Sequence, residues 1–174
     1  DVPQASEWMS QTFQQPDTIV DRASAGLATL AAQPEVDTSR LAAIGFCYGG
    51  KVVLDLARTG ADLKAVVTFH AANVSPRNVG DAKNIKAEIL VLHGELDSML
   101  PLDAIAEFKQ EMNAAHITHE VIVFEGAKHG FSNRLADERA KANNVDLGYD
   151  AEAEQKGLAA MYELLDEKLG ESSN

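Results

Sequence analysis

Four short apolar runs, separated by segments with helical patterns, constrain the fold of this chain more than any other feature. They occupy residues 41–46, 65–69, 89–92 and 121–124 and are rich in valine, isoleucine, leucine and phenylalanine. Runs of this length without polar alternation are typical of strands covered on both faces of a parallel sheet. Their alternation with helices predicts an α/β fold with a mainly parallel sheet flanked by helices.

The segments around the apolar runs predict four helices. Asp17 is expected to cap the first, which ends before Pro34. A second helix over 51–58 follows a glycine-rich turn and ends near another glycine. Pro101 opens the third. The fourth, over 151–169, places its leucines and a methionine on one stripe.

The first apolar run raises a question about the edge of the sheet. Residues 41–46 are as apolar as a central strand, but no strand precedes them that could pair with one side. An exposed hydrophobic edge promotes aggregation. We therefore expect further strands, from an N-terminal part of the same protein or from another chain, to cover it. Residues 1–174 then form one domain that lacks its first strands, and residues 171–174 are a polar tail.

Composition narrows the classes of partner and cofactor. The net charge of −12 argues against nucleic-acid binding, which needs a basic surface. No apolar run approaches the ~20 residues that span a membrane. The single cysteine cannot form an internal disulfide, which favours a reducing cytoplasm. Because neither zinc-type ligand spacing nor a glycine-rich phosphate loop is present, we expect no metal and no nucleotide cofactor.

The candidate nucleophile is Cys47, which lies in the stretch G-F-C-Y-G over residues 45–49. A strand precedes this stretch and a helix follows it, as in the Gly-x-Ser-x-Gly nucleophile elbow. The flanking glycines are expected because a Cβ there would collide with the backbone. Cysteine in place of serine forms a thiolate readily, and a helix N-terminus favours that charge. By itself the motif leaves open that Cys47 is a buried structural residue.

Two later loops supply the other groups that such an elbow requires, in the required order. The run 89–92 leads to Asp97, and the run 121–124 leads to His129. The carboxyl ends of parallel strands lie at one edge of a sheet, where α/β proteins bind their ligands. Asp97 is thus placed to orient His129, and His129 to take and return the proton of Cys47.

Several other residues near these loops have alternative interpretations. Glu95, two residues before Asp97, is an alternative acid. His93 is expected to pack or hydrogen-bond at a strand end. For His70 two interpretations stay open, a structural histidine or a residue that lines the site. His116 and His119 flank a helix–strand turn and are interpreted as surface residues.

The chain resembles the dienelactone hydrolase family, the α/β-hydrolases whose nucleophile is a cysteine. The resemblance extends over most of the chain from about Ile19 and is carried by I-G-F-C-Y-G-G, V-V-T-F-H-A, L-V-L-H-G-E-L-D-S-M-L-P, G-A-K-H-G-F-S-N and D-L-G-Y-D-A-E-A-E. It implies a partial α/β-hydrolase fold with a triad of Cys47, Asp97 and His129. It also implies that the backbone N–H of Tyr48 is one donor of the oxyanion hole.

Two features of the family have no direct counterpart here. The family's second oxyanion donor, and a glutamate that partners the resting cysteine, come from a loop after an early strand that this chain lacks. The family also holds the substrate carboxylate with an arginine four residues after the histidine, where this chain has Asn133. Arg134 follows one place later. We expect substrate contacts from Arg134, Phe46 and Phe131, and a broader ester or lactone as substrate.

Together these observations predict a cytoplasmic carboxylic-ester hydrolase of the carboxymethylenebutenolidase type, which cleaves a small ester or lactone through a thiol-ester intermediate on Cys47. One alternative is a non-catalytic or redox-sensing protein in which Cys47 is oxidised. Another is an inactive fragment. The segment 132–150 is polar and predicted to be irregular, and long loops of this kind often cap a site.

Overall fold

A four-stranded parallel sheet forms the centre of the computed structural model, which describes residues 2–170 apart from the side chains of residues 2 and 16. The predicted tail, residues 171–174, lies outside the described residues. The strands are β1 (Ala42–Phe46), β2 (Ala65–Phe69), β3 (Glu88–Gly94) and β4 (His119–Phe124). Their order in the sheet is their order in the chain. The predicted fold class is confirmed.

Helices cover both faces of this sheet. The described residues form α1 (Val2–Phe13), α2 (Pro16–Ala31), α3 (Tyr48–Arg58), α4 (Leu102–Ala114), α5 (Ala136–Asn143) and α6 (Ala151–Leu169), with a 3₁₀ turn at Asp81–Asn84. Within residues 2–170 no helix has both the length and the apolar character needed to cross a membrane.

Side chains that alternate along the central strands build two apolar layers. On one face, Val66 and Ile89 pack with residues of α3 and α4, including Phe108. On the other face, Val67 and Phe69 pack with α6. Every residue of β2 is buried, as expected for a strand covered on both faces.

The prediction that all four strands are covered on both faces is wrong for the two outer strands. Among the described residues β1 pairs only with β2, and its Ile44 and Phe46 are 41% and 48% exposed. In β4, Val123 is 42% exposed. Apolar content alone does not distinguish an outer strand from a central one, because side chains on either face can be apolar without being covered.

The start of α2 differs from the prediction, since Asp17 is not its cap. Gln15 occupies the N-cap without a side-chain hydrogen bond, and Pro16 is the first helical residue. The fixed φ of proline suits that position, so no capping side chain is needed. Asp17 lies in the first turn and pairs with Arg77 at 2.7 Å. The helix ends at Ala31, before Pro34, as predicted; α1 was not predicted.

The segment 132–150 is not irregular throughout, because residues 136–143 form α5. Its sequence, A-D-E-R-A-K-A-N, has no apolar stripe and so lacks the periodicity by which helices are recognised. Acidic residues in its first turn and a lysine in its last suit the helix dipole. Asn144 ends the helix in the left-handed conformation, at φ 51°.

Candidate active site

The turn from β1 into α3 presents Cys47 on a sharply bent backbone. Cys47 has φ 52° and ψ −119°, a conformation that non-glycine residues rarely adopt. Three hydrogen bonds hold it: its N–H donates to the Phe69 carbonyl at 3.0 Å, and its carbonyl accepts from Gly50 and Ala72 at 3.0 and 2.9 Å. Strain of this kind persists only where the surroundings impose it, and it is concentrated at functional sites.

Two glycines near Cys47, Gly45 and Gly50, have no room for a Cβ. The sequence motif predicted this for Gly45 and Gly49, so only Gly45 matches the prediction. A Cβ on Gly45 would collide with the backbone of Gly49, and one on Gly50 would lie 2.7 Å from the Cβ of Ala71. At Gly49, apart from the adjoining residues and the nearby backbone of its own helix, no described atom lies within 4 Å of the added carbon. The expectation that Gly49 is required by a collision is therefore wrong. The close approach of α3 to the Ala71 loop instead requires Gly50.

Three side chains predicted from separate loops come together at the carboxyl end of the sheet. His129 Nε2 lies 3.1 Å from the sulfur of Cys47, and His129 Nδ1 lies 2.8 Å from Oδ2 of Asp97. Asp97 and His129 are buried, whereas Cys47 is half-buried. The contact with Asp97 places a proton on Nδ1, between His129 and Asp97, so Nε2 is the ring nitrogen that faces the sulfur of Cys47.

Burial and charge have opposite effects on the pKa values of this group. Burial raises the pKa of Cys47, but the hydrogen bond and charge of His129 outweigh burial and hold it below its ordinary value. Burial also disfavours a charged His129, yet Asp97 and Cys47 raise its pKa to about 9. In Asp97, burial raises the pKa, while His129 and two backbone N–H groups bring it below the usual range. The arrangement therefore favours a thiolate–imidazolium pair.

Tyr48 is the first residue of α3, directly after the nucleophile candidate. Its backbone hydrogen bond to Cys47 favours the thiolate and lowers the pKa of that residue. Its ring packs on Phe13, with ring centroids 5.4 Å apart, so α1 lies against the elbow. The role of Tyr48 as an oxyanion donor stays a prediction.

The alternative acid, Glu95, lies apart from His129. Its side chain is exposed, and Oε2 accepts a hydrogen bond from the backbone of Gly126 at 2.9 Å. His93 is buried in β3, and neither of its ring nitrogens has a hydrogen-bond partner among the described residues. Its Nδ1 lies 4.0 Å from Oδ2 of Asp97, too far for a hydrogen bond.

The remaining histidines divide between the site and the opposite end of the sheet. His70 is buried beside the candidate site, with its ring centroid 5.1 Å from that of His129. Its Nε2 lies 2.8 Å from the hydroxyl of Ser132, a residue that the sequence did not single out. His116 is exposed, as predicted. His119 is half-buried and packs on Phe108, so only part of its side chain lies at the surface.

Two of the predicted substrate contacts are phenylalanines in different surroundings. Phe46, next to Cys47, is 48% exposed and stacks on Phe69 with ring centroids 4.8 Å apart. Phe131 is fully buried and packs edge-on against His70 and Phe124. Phe46 thus offers an exposed apolar surface on the residue before Cys47, whereas Phe131 supports the site from within the core.

The third predicted contact, Arg134, is engaged by a carboxylate of the chain itself. Its side chain is 78% exposed, and Nη2 lies 3.4 Å from Oε2 of Glu154. The same oxygen accepts a hydrogen bond from the hydroxyl of Tyr149 at 2.7 Å. A carboxylate on a substrate would compete with Glu154 for this guanidinium. Substrate binding by Arg134 stays a prediction.

The structure also has a cavity whose lining does not include Cys47. It has a volume of about 550 Å³, is lined mainly by apolar residues such as Val74, Val79 and Phe108, and lies between the 3₁₀ turn and α4. It contains none of the three clustered side chains. Within the described part of the chain, no group of three or more histidine, cysteine, aspartate or glutamate residues is arranged to hold a metal ion.

Comparison with known proteins identifies the family. The sequence profile of the dienelactone hydrolase family matches residues 1–169. The chain belongs to the dienelactone hydrolase family. Among its relatives is a Yersinia pestis protein named "Putative carboxymethylenebutenolidase", 32% identical over 132 residues, which are 72% of this chain and 46% of that protein. Another is "Uncharacterized protein K02A2.1" of Caenorhabditis elegans, 33% identical over 84% of this chain and 91% of that protein.

Solved structures of dienelactone hydrolase type have the same fold. The dienelactone hydrolase-like promiscuous phosphotriesterase P91, from metagenomic libraries, superposes with a TM-score of 0.90 at 37% identity, over 98% of this chain and 70% of that protein. The chain spans less than half the length of the bacterial carboxymethylenebutenolidase relatives that it matches. The family and these names support a carboxylic-ester hydrolase, the enzyme class predicted from the sequence.

Proposed function

We propose that this member of the dienelactone hydrolase family hydrolyses small carboxylic esters or lactones with Cys47 as the nucleophile. The observation that carries the proposal is the continuous chain of contacts from Asp97 through His129 to the sulfur, at 2.8 and 3.1 Å. A nucleophile, a base and a group that orients the base are the parts that acyl transfer needs.

In the first half of the proposed reaction, the Cys47 thiolate attacks the carbonyl carbon, and the carbonyl oxygen becomes an oxyanion near the Tyr48 N–H. The tetrahedral intermediate then collapses, and the carbon–oxygen bond to the alcohol breaks. The His129 imidazolium gives its proton to the departing alkoxide, which stays attached to the acyl group in a lactone. A thiol ester on Cys47 and a neutral His129 remain.

In the second half, His129 takes a proton from water, and the resulting hydroxide attacks the thiol ester. The carbon–sulfur bond breaks, the acid leaves, and the thiolate–imidazolium pair is restored. Asp97 holds the ring of His129 in place and stabilises its positive charge in both halves. It does not itself become protonated.

We further infer that another strand pairs with the free edge of β1. In support, β1 pairs only with β2 among the described residues, and Ile44 and Phe46 of this apolar strand are exposed. A strand from elsewhere in a longer protein, or from another chain, would cover that edge and remove the hazard of an open hydrophobic strand. A loop after such a strand is also where we propose the second oxyanion donor, whose loss would cost roughly 2.7–4 kcal/mol.

The proposed substrate is a small ester or lactone that does not depend on a carboxylate. Arg134, at the position nearest to the family's carboxylate ligand, is already paired with Glu154. Phe46 offers an apolar contact beside Cys47. Phosphotriesters are a second candidate class, because the chain is 37% identical to a protein described as a promiscuous phosphotriesterase. We place the protein in the cytoplasm, where a reducing environment keeps Cys47 available.

The test uses the full-length protein with p-nitrophenyl acetate, a small lactone and a phosphotriester. We expect Cys47→Ala to lower kcat for esters by at least about 10³-fold at unchanged folding, because it removes the nucleophile. A Cys47→Ala protein with wild-type turnover would overturn the mechanism. Mass spectrometry of Cys47 after mild peroxide treatment addresses the redox-sensing alternative, which requires oxidation of Cys47 in a protein without esterase activity.

A further inference from the structure

His70 occupies a strained and buried position directly after β2. Its φ is 37°, which is uncommon for a residue with a side chain. Its backbone N–H donates to the Leu92 carbonyl of the next strand at 2.8 Å. Such a conformation costs free energy and persists only when the surrounding structure holds it in place. The surrounding fold therefore imposes a backbone conformation that His70 would not favour by itself, and this conformation fixes the position of its imidazole.

The ring of His70 lies against the residue proposed as the base and against the segment that carries it. It meets His129 at a centroid distance of 5.1 Å and an angle of 63°, and Phe131 at 5.2 Å and 89°. Its Nε2 lies 2.8 Å from the hydroxyl of Ser132. His70 thus contacts three of the four residues from 129 to 132. Its own Nδ1 is buried without a hydrogen-bond partner among the described residues, so the Ser132 contact orients the ring.

The backbone around His70 is also joined to the nucleophile. The Phe69 carbonyl, one residue before it, accepts from the N–H of Cys47 at 3.0 Å. The N–H of Ala72, two residues after it, donates to the carbonyl of Cys47 at 2.9 Å. His70 therefore lies on a short segment that is hydrogen-bonded to the elbow by its backbone and to the His129 loop by its side chain.

We propose that His70 is a positioning residue that, through Ser132 and its edge contact, holds the imidazole of His129 at the sulfur of Cys47. The proposal rests on the proposed function for its kinetic readout, but its structural content is independent of the substrate. A hydrogen bond to Ser132 fixes the end of the loop, and the ring itself limits the tilt of His129. A displacement of the base by an ångström is enough to slow the reaction greatly.

The charge of His70 fits this role. Burial, followed by the charge of His129, lowers the pKa of His70 to about 4, so the ring is neutral near pH 7. The other titratable groups that act on it are His93 in β3 and Asp97 in the loop after that strand. A charged His70 would repel the imidazolium form of His129. A neutral ring supports the base without weakening the thiolate–imidazolium pair.

The experiment compares His70→Leu, His70→Gln and Ser132→Ala in the full-length protein. Leucine removes the polar contact at similar volume, glutamine offers an amide to Ser132, and Ser132→Ala removes the same contact without altering His70. His116→Leu is the matched control, because His116 also has a positive φ, of 57°, but is exposed at the opposite end of the sheet. Each variant is tested for thermal unfolding, for kcat and KM on p-nitrophenyl acetate, and for the rate of Cys47 alkylation by iodoacetamide against pH.

We expect His70→Leu and Ser132→Ala to lower kcat about 10- to 100-fold with KM within about twofold. The midpoint of the alkylation profile should move to higher pH, since the thiolate loses part of its pairing with His129. His70→Gln should recover at least about tenfold in kcat over His70→Leu, and His116→Leu should match the wild type. The proposal is overturned if folded Ser132→Ala and His70→Leu proteins keep the wild-type alkylation midpoint. Should the wild type hydrolyse no ester, the proposed function fails, while the alkylation profile still decides the role of His70.

Discussion

The Nδ1 atom of His129 lies 2.8 Å from Oδ2 of Asp97, although 32 residues separate them in the chain. The other carboxylate oxygen of Asp97 accepts backbone hydrogen bonds from Met99 at 2.9 Å and Leu100 at 3.2 Å. Both oxygens of this buried carboxylate are therefore engaged, so Asp97 cannot turn away from the imidazole without loss of several hydrogen bonds. The negative charge stays fixed behind His129.

Substitution of this carboxylate by a neutral amide is the first prediction. Asp97→Asn keeps the size of the side chain but removes the charge, and it favours the wrong tautomer of His129. We expect kcat for p-nitrophenyl acetate to fall about 10³- to 10⁴-fold. Glu95→Gln is the control, because Glu95 is exposed and bonds Gly126 instead; its kcat should stay within about twofold of the wild type. Equal losses in both variants would contradict the assignment of Asp97.

The second prediction concerns the stability of Cys47→Ala as a function of pH. We expect the hydrogen bond and charge of Asp97 to keep the pKa of His129 above its ordinary value of 6.5 in this variant. A raised pKa stabilises the fold fully below 6.5, and this contribution is lost as the pH rises through the folded pKa, which is lower in this variant than the wild-type value of about 9 because Cys47 no longer contributes. We expect the free energy of unfolding to decrease over that range, by on the order of 1–3 kcal/mol. Urea denaturation at several pH values measures it.

Two further proteins serve as controls for that pH dependence. The double variant Cys47→Ala, His129→Gln should lose the decrease, since the imidazole with the raised pKa is gone. In the wild type the lowered pKa of Cys47 acts in the opposite direction: its contribution is present at high pH and is lost as the pH falls. Because the contributions of Cys47 and His129 have opposite signs, the stability of the wild type should depend less on pH than that of Cys47→Ala.

A third prediction contrasts two glycines of the elbow. A Cβ at position 45 would collide with the backbone of Gly49, so we expect Gly45→Ala to destabilise the protein and to displace Cys47. Gly49 lies within α3, and apart from the adjoining residues and the nearby backbone of that helix, a Cβ there meets no described atom within 4 Å. Because alanine favours a helix, Gly49→Ala should stabilise the protein by about 0.5 kcal/mol. Thermal unfolding of the two variants gives the comparison; similar losses in both would show that Gly49 is confined as well.

The fourth prediction concerns a buried cation far from the site chemistry. Arg58 is fully buried, and its Nη2 donates to the Val74 carbonyl and to Glu111, both at 2.7 Å. Arg58→Met leaves these acceptors unpaired and should cost about 3 kcal/mol or more in the free energy of unfolding. Arg40→Met, which breaks an exposed ion pair with Asp37, should cost less than about 1 kcal/mol. Guanidinium denaturation distinguishes them, and equal costs would contradict a structural role for Arg58.

The parts of the fold that sequence reasoning predicted are those with local signatures. The buried strands β2 and β3 are continuous apolar runs, and Pro34 limits α2. The short helix α5 has no apolar stripe, so its formation depends on the dipole and on packing rather than on a periodic pattern. The edge of β1 without a partner strand among the described residues was expected from the order of the apolar runs. The exposure of its Ile44 and Phe46 side chains was not, because an apolar run does not show what covers its faces.

The same distinction applies to the candidate site. Asp97 and His129 follow predicted strands in the order that an elbow requires, so their approach to Cys47 could be expected from topology. The contact between His70 and Ser132 depends on a left-handed φ at a histidine, which no spacing rule indicates. The burial of Phe131 follows from aromatic packing between distant elements, which is likewise not encoded locally.

The sheet order β1-β2-β3-β4 has a consequence for synthesis on the ribosome. Because the strands lie side by side in the order in which they are made, Cys47 emerges first and His129 last among the clustered residues. Domains generally fold as units, and synthesis runs from the N-terminus onward. A nascent chain that lacks β4 and the loop after it carries Cys47 without His129. The contact between these two residues is therefore made only after the last of the four strands has been synthesised and has joined the sheet.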